Sequence, residues 1–242
     1  MPAQIAALTD RGQKRSGNED AVLAEELPDG SILLAVADGV GGLSHGEVAS
    51  TEAVRVLRDE VGRASLDDPS KVMKDAFSLA NQRVRTLAKQ RQGQAAMAST
   101  LVAALIRDGR AWLANVGDSR AYLLDESRLQ QLTQDHSLVA EQIRAGTIQP
   151  EEADSVSYGN LITKGIGVEE TIEADAFGPH QLPPSTPLLL CSDGLYRMLS
   201  DSEIAQILST GDPQAMAERL VQRANEEGGP DNISVVILRS EE

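Results

Sequence analysis

The stretch ILLAVADGVGG, residues 32–42, combines a strand signal with an acidic residue and raises the question of function. Six apolar residues, Ile32 to Ala37, lead directly into Asp38 and a glycine-rich segment. A short apolar run bounded by a turn signal is typical of a strand that is buried on both faces. No Lys or Arg lies nearby in sequence to neutralise the Asp38 carboxylate. The stretch therefore predicts a buried strand that ends on an acidic group in a glycine-rich bend.

Further strands and helices are predicted in separate groups along the chain. Strands are expected at 4–9, 21–27, 32–37, 99–106, 110–115, 120–124, 129–132, 171–177, 188–191 and 233–238. Helices are expected at 47–61, 70–91, 201–209 and 213–226, and residues 138–168 are expected to form a small flap. Grouped strands joined by hairpins favour antiparallel sheets covered by helices, which is an α+β fold. No linker or repeat interrupts the sequence, so one domain over 1–242 is expected.

The overall composition excludes several classes of function. A net charge of −15 argues against a nucleic-acid partner, because phosphate backbones are bound by Lys and Arg. The single cysteine, Cys191, excludes an internal disulfide and a cysteine-rich zinc site. There is no apolar signal core at the N-terminus and no apolar run of about 18 residues. We therefore expect a cytoplasmic protein without a membrane partner.

Three more acidic residues share the position of Asp38 at a strand end. Asp193 follows the apolar run in PLLLCSDGL (187–195), Asp118 follows Val116 and Gly117 in ANVGDSR (114–120), and Asp231 precedes the apolar run in GGPDNISVVIL (228–238). Each one alone is typical of turn chemistry, because Asp-Gly is a favoured turn pair. If the strands share one sheet edge, however, several carboxylates meet, and they cannot all stay ionised without cations.

Divalent metal ions are the natural counter-charge for such a cluster. Oxygen ligands without His or Cys indicate Mg²⁺ or Mn²⁺ rather than zinc. Two ions bridged by a carboxylate and a water molecule form a hydrolytic centre for phosphoryl groups. Arg15, just ahead of Asn18, Glu19 and Asp20, could grip two phosphate oxygens, although a solvated surface Arg is an equally good interpretation.

Together these motifs resemble the metal-dependent protein phosphatase family, the type-2C Ser/Thr phosphatases, in its compact bacterial form. The resemblance rests on eight segments in the family's order, which span nearly the whole chain: RSGNEDA (15–21), VADGVGG (36–42), GEVAS (46–50), MASTLVAAL (97–105), NVGDSRAYLL (115–124), LTQDHS (132–137), LLLCSDGLYRML (188–199) and GGPDNISVVIL (228–238). It implies a four-layer α-β-β-α sandwich with a metal cleft at one end of two central antiparallel sheets.

The resemblance also implies roles for individual residues. Asp38 would bridge two Mn²⁺ or Mg²⁺ ions, the Gly39 carbonyl would bind the second ion, and Asp193 and Asp231 would bind the first. A third ion would lie at Asp118 and Asp193, Glu19 and Asp20 would act through water molecules, and Arg15 would bind phosphate. Supporting positions would be Thr100, Ser192 and Asn232.

The implied activity is the hydrolysis of phosphoserine and phosphothreonine in proteins by direct attack of a metal-bridging water. The implied partners are phosphorylated proteins, including an opposing bacterial Ser/Thr kinase and its substrates. Two departures from the family's pattern affect this expectation. Val40 stands where eukaryotic relatives have the proposed general acid, a His, so that a metal-bound water, His45 or His136 would have to protonate the leaving oxygen. Thr163-Lys164-Gly165 replaces a Thr-Arg-Ala motif common at the end of the flap.

Three alternatives remain beside this prediction. Residues 191–197 have the Cys-x5-Arg spacing of thiol phosphatases, but Asp193 would place a negative charge inside the phosphate-binding loop. Residues 39–46 resemble a dinucleotide-binding turn, but Ser44 stands where a third glycine is needed. A catalytically inactive binding module with the phosphatase fold is the alternative from another functional class.

Overall fold

The apolar strand of the opening stretch lies in the middle of the molecule. In the computed structural model, which describes residues 3–41, 45–90, 97–126, 128–150, 152, 156 and 161–240, it forms β3 (Ile32–Val40). Successive side chains of a strand point to opposite faces. Residues 33, 35 and 37 pack into one apolar layer, and residues 32, 34 and 36 pack into another. A strand with apolar layers on both faces needs partners on both faces, and this requirement generates the fold.

Two antiparallel sheets face each other, and one of the two apolar layers lies between them. The first sheet has the strand order β2 (Asp20–Glu26), β3, β5 (Leu101–Arg107), β6 (Arg110–Val116) and β9 (Asp175–Gln181), and the short β4 (Ala98–Ser99) pairs with the end of β3. The second sheet has the order β1 (Ala3–Asp10), β11 (Ile233–Ser240), β10 (Pro187–Cys191), β7 (Arg120–Asp125) and β8 (Arg128–Gln131). Apolar residues from both sheets fill the space between them.

Helices cover the two outer faces. The first sheet packs against α1 (His45–Val61) and α2 (Pro69–Gln90). The second sheet packs against α5 (Asp201–Leu208) and α6 (Pro213–Glu226). This is the four-layer α-β-β-α sandwich, so the predicted fold class is confirmed. None of the helices in the described part of the chain has both the length and the apolar character needed to cross a bilayer.

Most predicted elements are present, but the strand expected at 171–177 is displaced. The corresponding strand is β9, at Asp175–Gln181. The sequence Gly178-Pro179 reads as a turn, whereas here it lies inside the strand, where the register between β6 and β9 shifts at Ala111 and Leu113. Irregular pairing next to Gly and Pro lets an edge strand continue through residues that normally end one.

The segment expected to form a flap begins with a helix. Ser137 caps α3 (Leu138–Arg144), and isolated β-bridges join Ser137 to Ile162 and Ser99 to Ile166. Residues 151, 153–155 and 157–160 of this segment lie outside the described residues, as do residues 42–44 after Asp38. The domain boundaries and the extent of the flap remain predictions. A second short helix, α4 (Asp193–Tyr196), was not predicted, because four residues are too few to show a helical period.

The layer between the sheets should dominate the stability of the fold. Leu34 is fully buried there, so Leu34→Ala should lower the free energy of unfolding by about 2–5 kcal/mol. Urea denaturation followed by circular dichroism measures this. Leu79→Ala is the matched control, because Leu79 lies on α2 with 40% of its surface exposed. Equal losses in the two variants would contradict this view of the core.

Candidate active site

The end of β3 fixes the position of Asp38. Its backbone N–H donates to Thr100 Oγ1 at 2.9 Å, and its carbonyl accepts from the Thr100 N–H at 2.9 Å and from Ser99 Oγ at 3.0 Å. Thr100 Oγ1 is bound in turn to Ser119 Oγ at 2.7 Å, and both of these residues are buried. These contacts hold the Asp38 backbone from the β4–β5 side, so the carboxylate projects from a rigid support.

Asp20 lies beside Asp38 because the register of β2 and β3 pairs the two residues. Its Oδ2 accepts hydrogen bonds from Ser192 Oγ at 2.9 Å and from Ser234 Oγ at 2.6 Å. Both serines belong to the second sheet or its immediate extension. A carboxylate of the first sheet is therefore held by hydroxyl groups of the second.

Asp193 enters the same place from the second sheet. It directly follows β10 and Ser192, and it occupies the first position of α4. A Cβ atom on the next residue, Gly194, would collide with the carbonyl oxygen of Asn232. Only glycine permits this close approach, which brings α4 and Asp193 against the segment that carries Asp231.

Asn232 joins the loops that carry Glu19 and Asp231. Its Oδ1 accepts from the Glu19 N–H at 2.8 Å, and its Nδ2 donates to the carbonyls of Arg11 and Gly17, both at 2.9 Å. Its own N–H donates to Asp231 Oδ1 at 2.8 Å. One amide side chain therefore fixes the segment from 11 to 19 against the start of β11.

Asp118 approaches from the turn between β6 and β7 and is buried. The preceding residue, Gly117, adopts a φ of +102°, and its N–H donates to His136 Nδ1 at 3.0 Å. The carbonyl of Asp118 accepts from the Tyr196 hydroxyl at 3.0 Å. This left-handed turn allows the chain to leave β6 and present the Asp118 side chain to the cleft.

The carboxylates destabilise one another electrostatically. Burial, followed by the neighbouring carboxylates, raises the pKa of Asp20 to about 7, in spite of its two serine donors. Burial and the charge of Asp193 raise the pKa of Asp118 to about 7. The pKa of Asp38 is raised well above its usual range by burial and then by Asp20 and Asp193. The side chains that the sequence placed at strand ends are thus close enough to interact strongly.

The donor set fits hard divalent cations. Asp20 Oδ1 and Asp193 Oδ1 are buried and make no hydrogen bond to another group of the protein. Buried carboxylate oxygens are normally satisfied, so these atoms indicate a ligand. Among the described residues, no three His, Cys, Asp or Glu side chains are already arranged as a metal cluster. Asp231 instead pairs with Arg15 at 2.6 Å, and Asp193 pairs with Arg197 at 2.8 Å.

Gly39 lies where its backbone touches the surrounding chain. A Cβ atom there would collide with the carbonyls of Gly46 and Glu19, and its N–H donates to the Glu19 carbonyl at 3.1 Å. The Gly39 carbonyl in turn faces Gly46, where a side chain would meet it at 2.7 Å. The two glycines let β3, α1 and the Glu19 segment converge on the cleft.

Arg15 stands at the mouth of this cleft. A cavity of about 380 Å³ opens beside it, and its lining includes Glu19, Glu47 and Asn232. The Arg15 side chain is 51% exposed and reaches Asp231. Its guanidinium is therefore positioned to meet an anion that enters the cleft from solvent.

The fold agrees with that of known proteins. A sequence model of protein phosphatase 2C matches residues 9–234. The chain belongs to the protein phosphatase 2C family. The serine/threonine phosphatase Stp of Listeria monocytogenes is 38% identical over 236 residues, which are 95% of this chain and 93% of that protein. The chain is thus a serine/threonine phosphatase by family.

Solved phosphatase structures superimpose closely on this one. The serine/threonine phosphatase of S. agalactiae has a TM-score of 0.91 at 34% identity and covers 99% of this chain and 100% of its own. The catalytic domain of PstP, solved with two manganese ions, has a TM-score of 0.88 at 33% identity and covers 99% of both chains. These solved phosphatases therefore share the sandwich fold over nearly the whole length of this chain.

Several side chains of this phosphatase have roles that the sequence did not reveal. Arg120, the one basic residue within the four acidic motifs, does not face the carboxylate cleft, because it binds Asp135 through Nε at 3.0 Å and Nη2 at 2.7 Å. Ser234 holds Asp20, and Arg197 contacts two acidic residues. Arg197 stands four residues after Asp193, a spacing that places two side chains on one helix face and could have indicated the contact.

The histidines and the cysteine that the sequence offered as catalytic candidates, His45, His136 and Cys191, are all buried. His136 accepts from the Gly117 N–H through Nδ1, and its Nε2 lies 3.4 Å from Asp175 Oδ2. Burial lowers its pKa, so it is mainly neutral near pH 7. His45 is buried at the start of α1, and Val40 is 44% exposed. Cys191 is fully buried inside β10, and burial raises its pKa, which disfavours the thiolate that a thiol phosphatase needs.

Asp20→Asn should stabilise the metal-free phosphatase at high pH. A carboxyl whose pKa is raised by folding favours the native state while it is protonated, and this contribution is lost as the pH rises from about 4 to about 7. In EDTA, the variant should therefore unfold at a higher temperature than the wild type at pH 8 and at a similar temperature at pH 4.5. Saturating Mn²⁺ should reduce the difference at pH 8. A stabilisation that is equal at both pH values would contradict the charge argument.

Proposed function

We propose that this phosphatase hydrolyses phosphoserine and phosphothreonine in proteins with the help of Mn²⁺ or Mg²⁺. The observation that carries the proposal is the convergence of Asp20, Asp38 and Asp193 from two different sheets, with two buried carboxylate oxygens left without a protein partner. Such an arrangement is unfavourable on its own, and hard cations remove the penalty. The two manganese ions bound by the catalytic domain of PstP support the same view.

Two ions would be held by residues from both sheets. Asp38 would be a ligand of both ions, the Gly39 carbonyl a ligand of one of them, and Asp193 and Asp231 ligands of the other. Glu19 and Asp20 would support the ions through water molecules. When bound, such ions activate a water molecule for direct attack on phosphorus and stabilise the charge on the phosphoryl oxygens.

The protein's own task is to hold these groups still. Thr100 fixes the Asp38 backbone, Ser192 fixes the Asp20 carboxylate, and Asn232 ties the Glu19 segment to Asp231. Residues that orient metal ligands commonly matter almost as much as the ligands themselves. These three polar contacts explain how a site assembled from distant segments keeps one geometry.

Arg15 supplies the charge that recognises the substrate. Its half-exposed guanidinium pairs with Asp231, and a phosphate monoester that entered the neighbouring cavity would offer it a more highly charged partner. A guanidinium can bind two phosphate oxygens at once. Arg15 thus orients the phosphoryl group, and the rest of the phosphoprotein remains outside the cleft.

The partners follow from this activity. Phosphorylated proteins are the substrates, and a bacterial Ser/Thr kinase together with its targets is the proposed source of them. The relative in Listeria monocytogenes carries the name serine/threonine phosphatase, which supports the substrate class. An inactive binding module would have no need for a buried cluster of carboxylates with unpartnered oxygens, so we favour the enzyme.

Loss of the bridging carboxylate should abolish turnover. Asp38→Asn should lower kcat on a phosphothreonine peptide by more than about 100-fold, because even indirect supports of metal sites commonly cost 10–100-fold. The fold should persist, since the change relieves carboxylate repulsion. The measurement is phosphate release with Mn²⁺ titrated in, before and after EDTA, with circular dichroism as the folding control. Turnover in EDTA, or near-normal turnover in the variant, would contradict the proposal.

Removal of Arg15 should mainly weaken substrate binding. Arg15→Ala should raise KM for the phosphopeptide about 10-fold, which corresponds to the loss of one charged hydrogen bond, with a smaller change in kcat. Arg11→Ala is the matched control, since it removes an exposed guanidinium from the same segment. Steady-state kinetics on both variants decides the matter, and an unchanged KM in Arg15→Ala would refute its assignment to phosphate.

A further inference from the structure

Arg197 occupies the place to which the family resemblance assigns a third metal ion. That assignment requires Asp118 and Asp193 to share a cation. In this structure one guanidinium contacts both carboxylates: Nε lies 2.8 Å from Asp193 Oδ2, and Nη2 lies 3.5 Å from Asp118 Oδ2. The two acidic side chains are 12% and 6% exposed, and the Arg197 side chain is 28% exposed. The contact is therefore largely shielded from water.

The position of Arg197 follows from the local fold. Asp193 begins α4, and Arg197 follows its last residue, so their side chains lie one helical turn apart on one face. The Arg197 N–H also donates to the Asp193 carbonyl at 3.1 Å. Opposite charges at this spacing attract each other, and the attraction is stronger where water is excluded.

Tyr196 keeps the other side of this contact in place. Its hydroxyl donates to the Asp118 carbonyl at 3.0 Å, and its ring packs under the Arg120 guanidinium at 3.6 Å from the ring centroid. Arg120 is itself bound to Asp135. The turn that carries Asp118 is thus tied to the same short helix that presents Arg197.

A guanidinium and a divalent ion cannot share these oxygens. A divalent ion bound by carboxylates takes oxygen ligands at about 2.0–2.6 Å, and its charge would repel the guanidinium at contact distance. Arginine stays protonated at all relevant pH values, so it supplies a permanent positive charge without any dependence on metal concentration. The residues at this position therefore do not fit a third ion.

We infer that this phosphatase replaces the third metal ion with the guanidinium of Arg197, and that its active site holds two ions only. The inference rests on the proposed two-ion function and narrows it. Arg197 acts here as a positioning residue, because it fixes Asp193, a proposed ligand of the first ion. The site should fill with two ions and then stop responding to further Mn²⁺.

The test counts bound Mn²⁺ directly, without an activity assay. Free Mn²⁺ is measured by electron paramagnetic resonance during titration of the protein, for the wild type, Asp118→Asn, Arg197→Met and the double variant. Arg55→Met is the control for added negative charge, because Arg55 pairs with Glu52 and Asp59 on the exposed face of α1.

The wild type and Asp118→Asn should each bind two ions per chain. Arg197→Met should bind a third, and the double variant should lose it again, whereas Arg55→Met should match the wild type. A third ion in the wild type that disappears in Asp118→Asn would overturn the inference, and this comparison does not depend on the folding of Arg197→Met. An ion count in Arg197→Met equal to that of the wild type would also overturn it. Fewer than two ions in the wild type would overturn the proposed function itself, and the inference with it.

Discussion

The structure depends on the repulsion between carboxylates that the fold forces together. Asp20, Asp38 and Asp193 meet at one end of the sandwich, where burial and mutual charge raise their pKa values. No compact fold would gather them for stability alone, since their convergence costs free energy. The surrounding hydrogen bonds hold the carboxylates in this unfavourable arrangement, in which they can bind cations. Packing in the rest of the molecule supplies the free energy that offsets this repulsion.

That free energy comes from three apolar layers built almost without aromatic residues. The strands β3, β10 and β11 are buried on both faces, with alternate side chains directed into the layer between the sheets and into a layer under the helices. Small and branched aliphatic residues pack densely enough for this purpose. Because each of these strands is packed on both faces, its end has a fixed position, and so do the acidic residues at that end.

Much of this could be predicted from the sequence, for physical reasons that differ between elements. The apolar runs of β3 and β10 are followed by Asp-Gly, so their burial was evident, and the end of β10 at Cys191 was predicted correctly. The end of β3 was not, because pairing with β4 extends β3 from the predicted 32–37 to Val40. The helix expected at 201–209 is present as α5, and the capping box of Ser200 and Glu203 fixes its start. In contrast, β9 was misplaced because Gly178-Pro179 is a turn signal that pairing overrode, and α4 is too short to have a period. The convergence of the acidic residues followed from the family resemblance, since spacing along the chain does not determine which strand ends meet. The pairing of Arg197 with Asp118 depends on that tertiary convergence and was missed for the same reason.

The hydrogen bonds to Asp20 have a mechanical consequence. Asp20 belongs to one sheet, and the hydroxyls of Ser192 and Ser234 donate to it from the other sheet or its immediate extension, so these hydrogen bonds link the two sheets. If one sheet slid over the other, the buried Asp20 carboxylate would lose two hydrogen-bond donors, and this loss would cost free energy. The alignment of Asp20 and Asp38 with the second sheet is therefore a property of the whole sandwich.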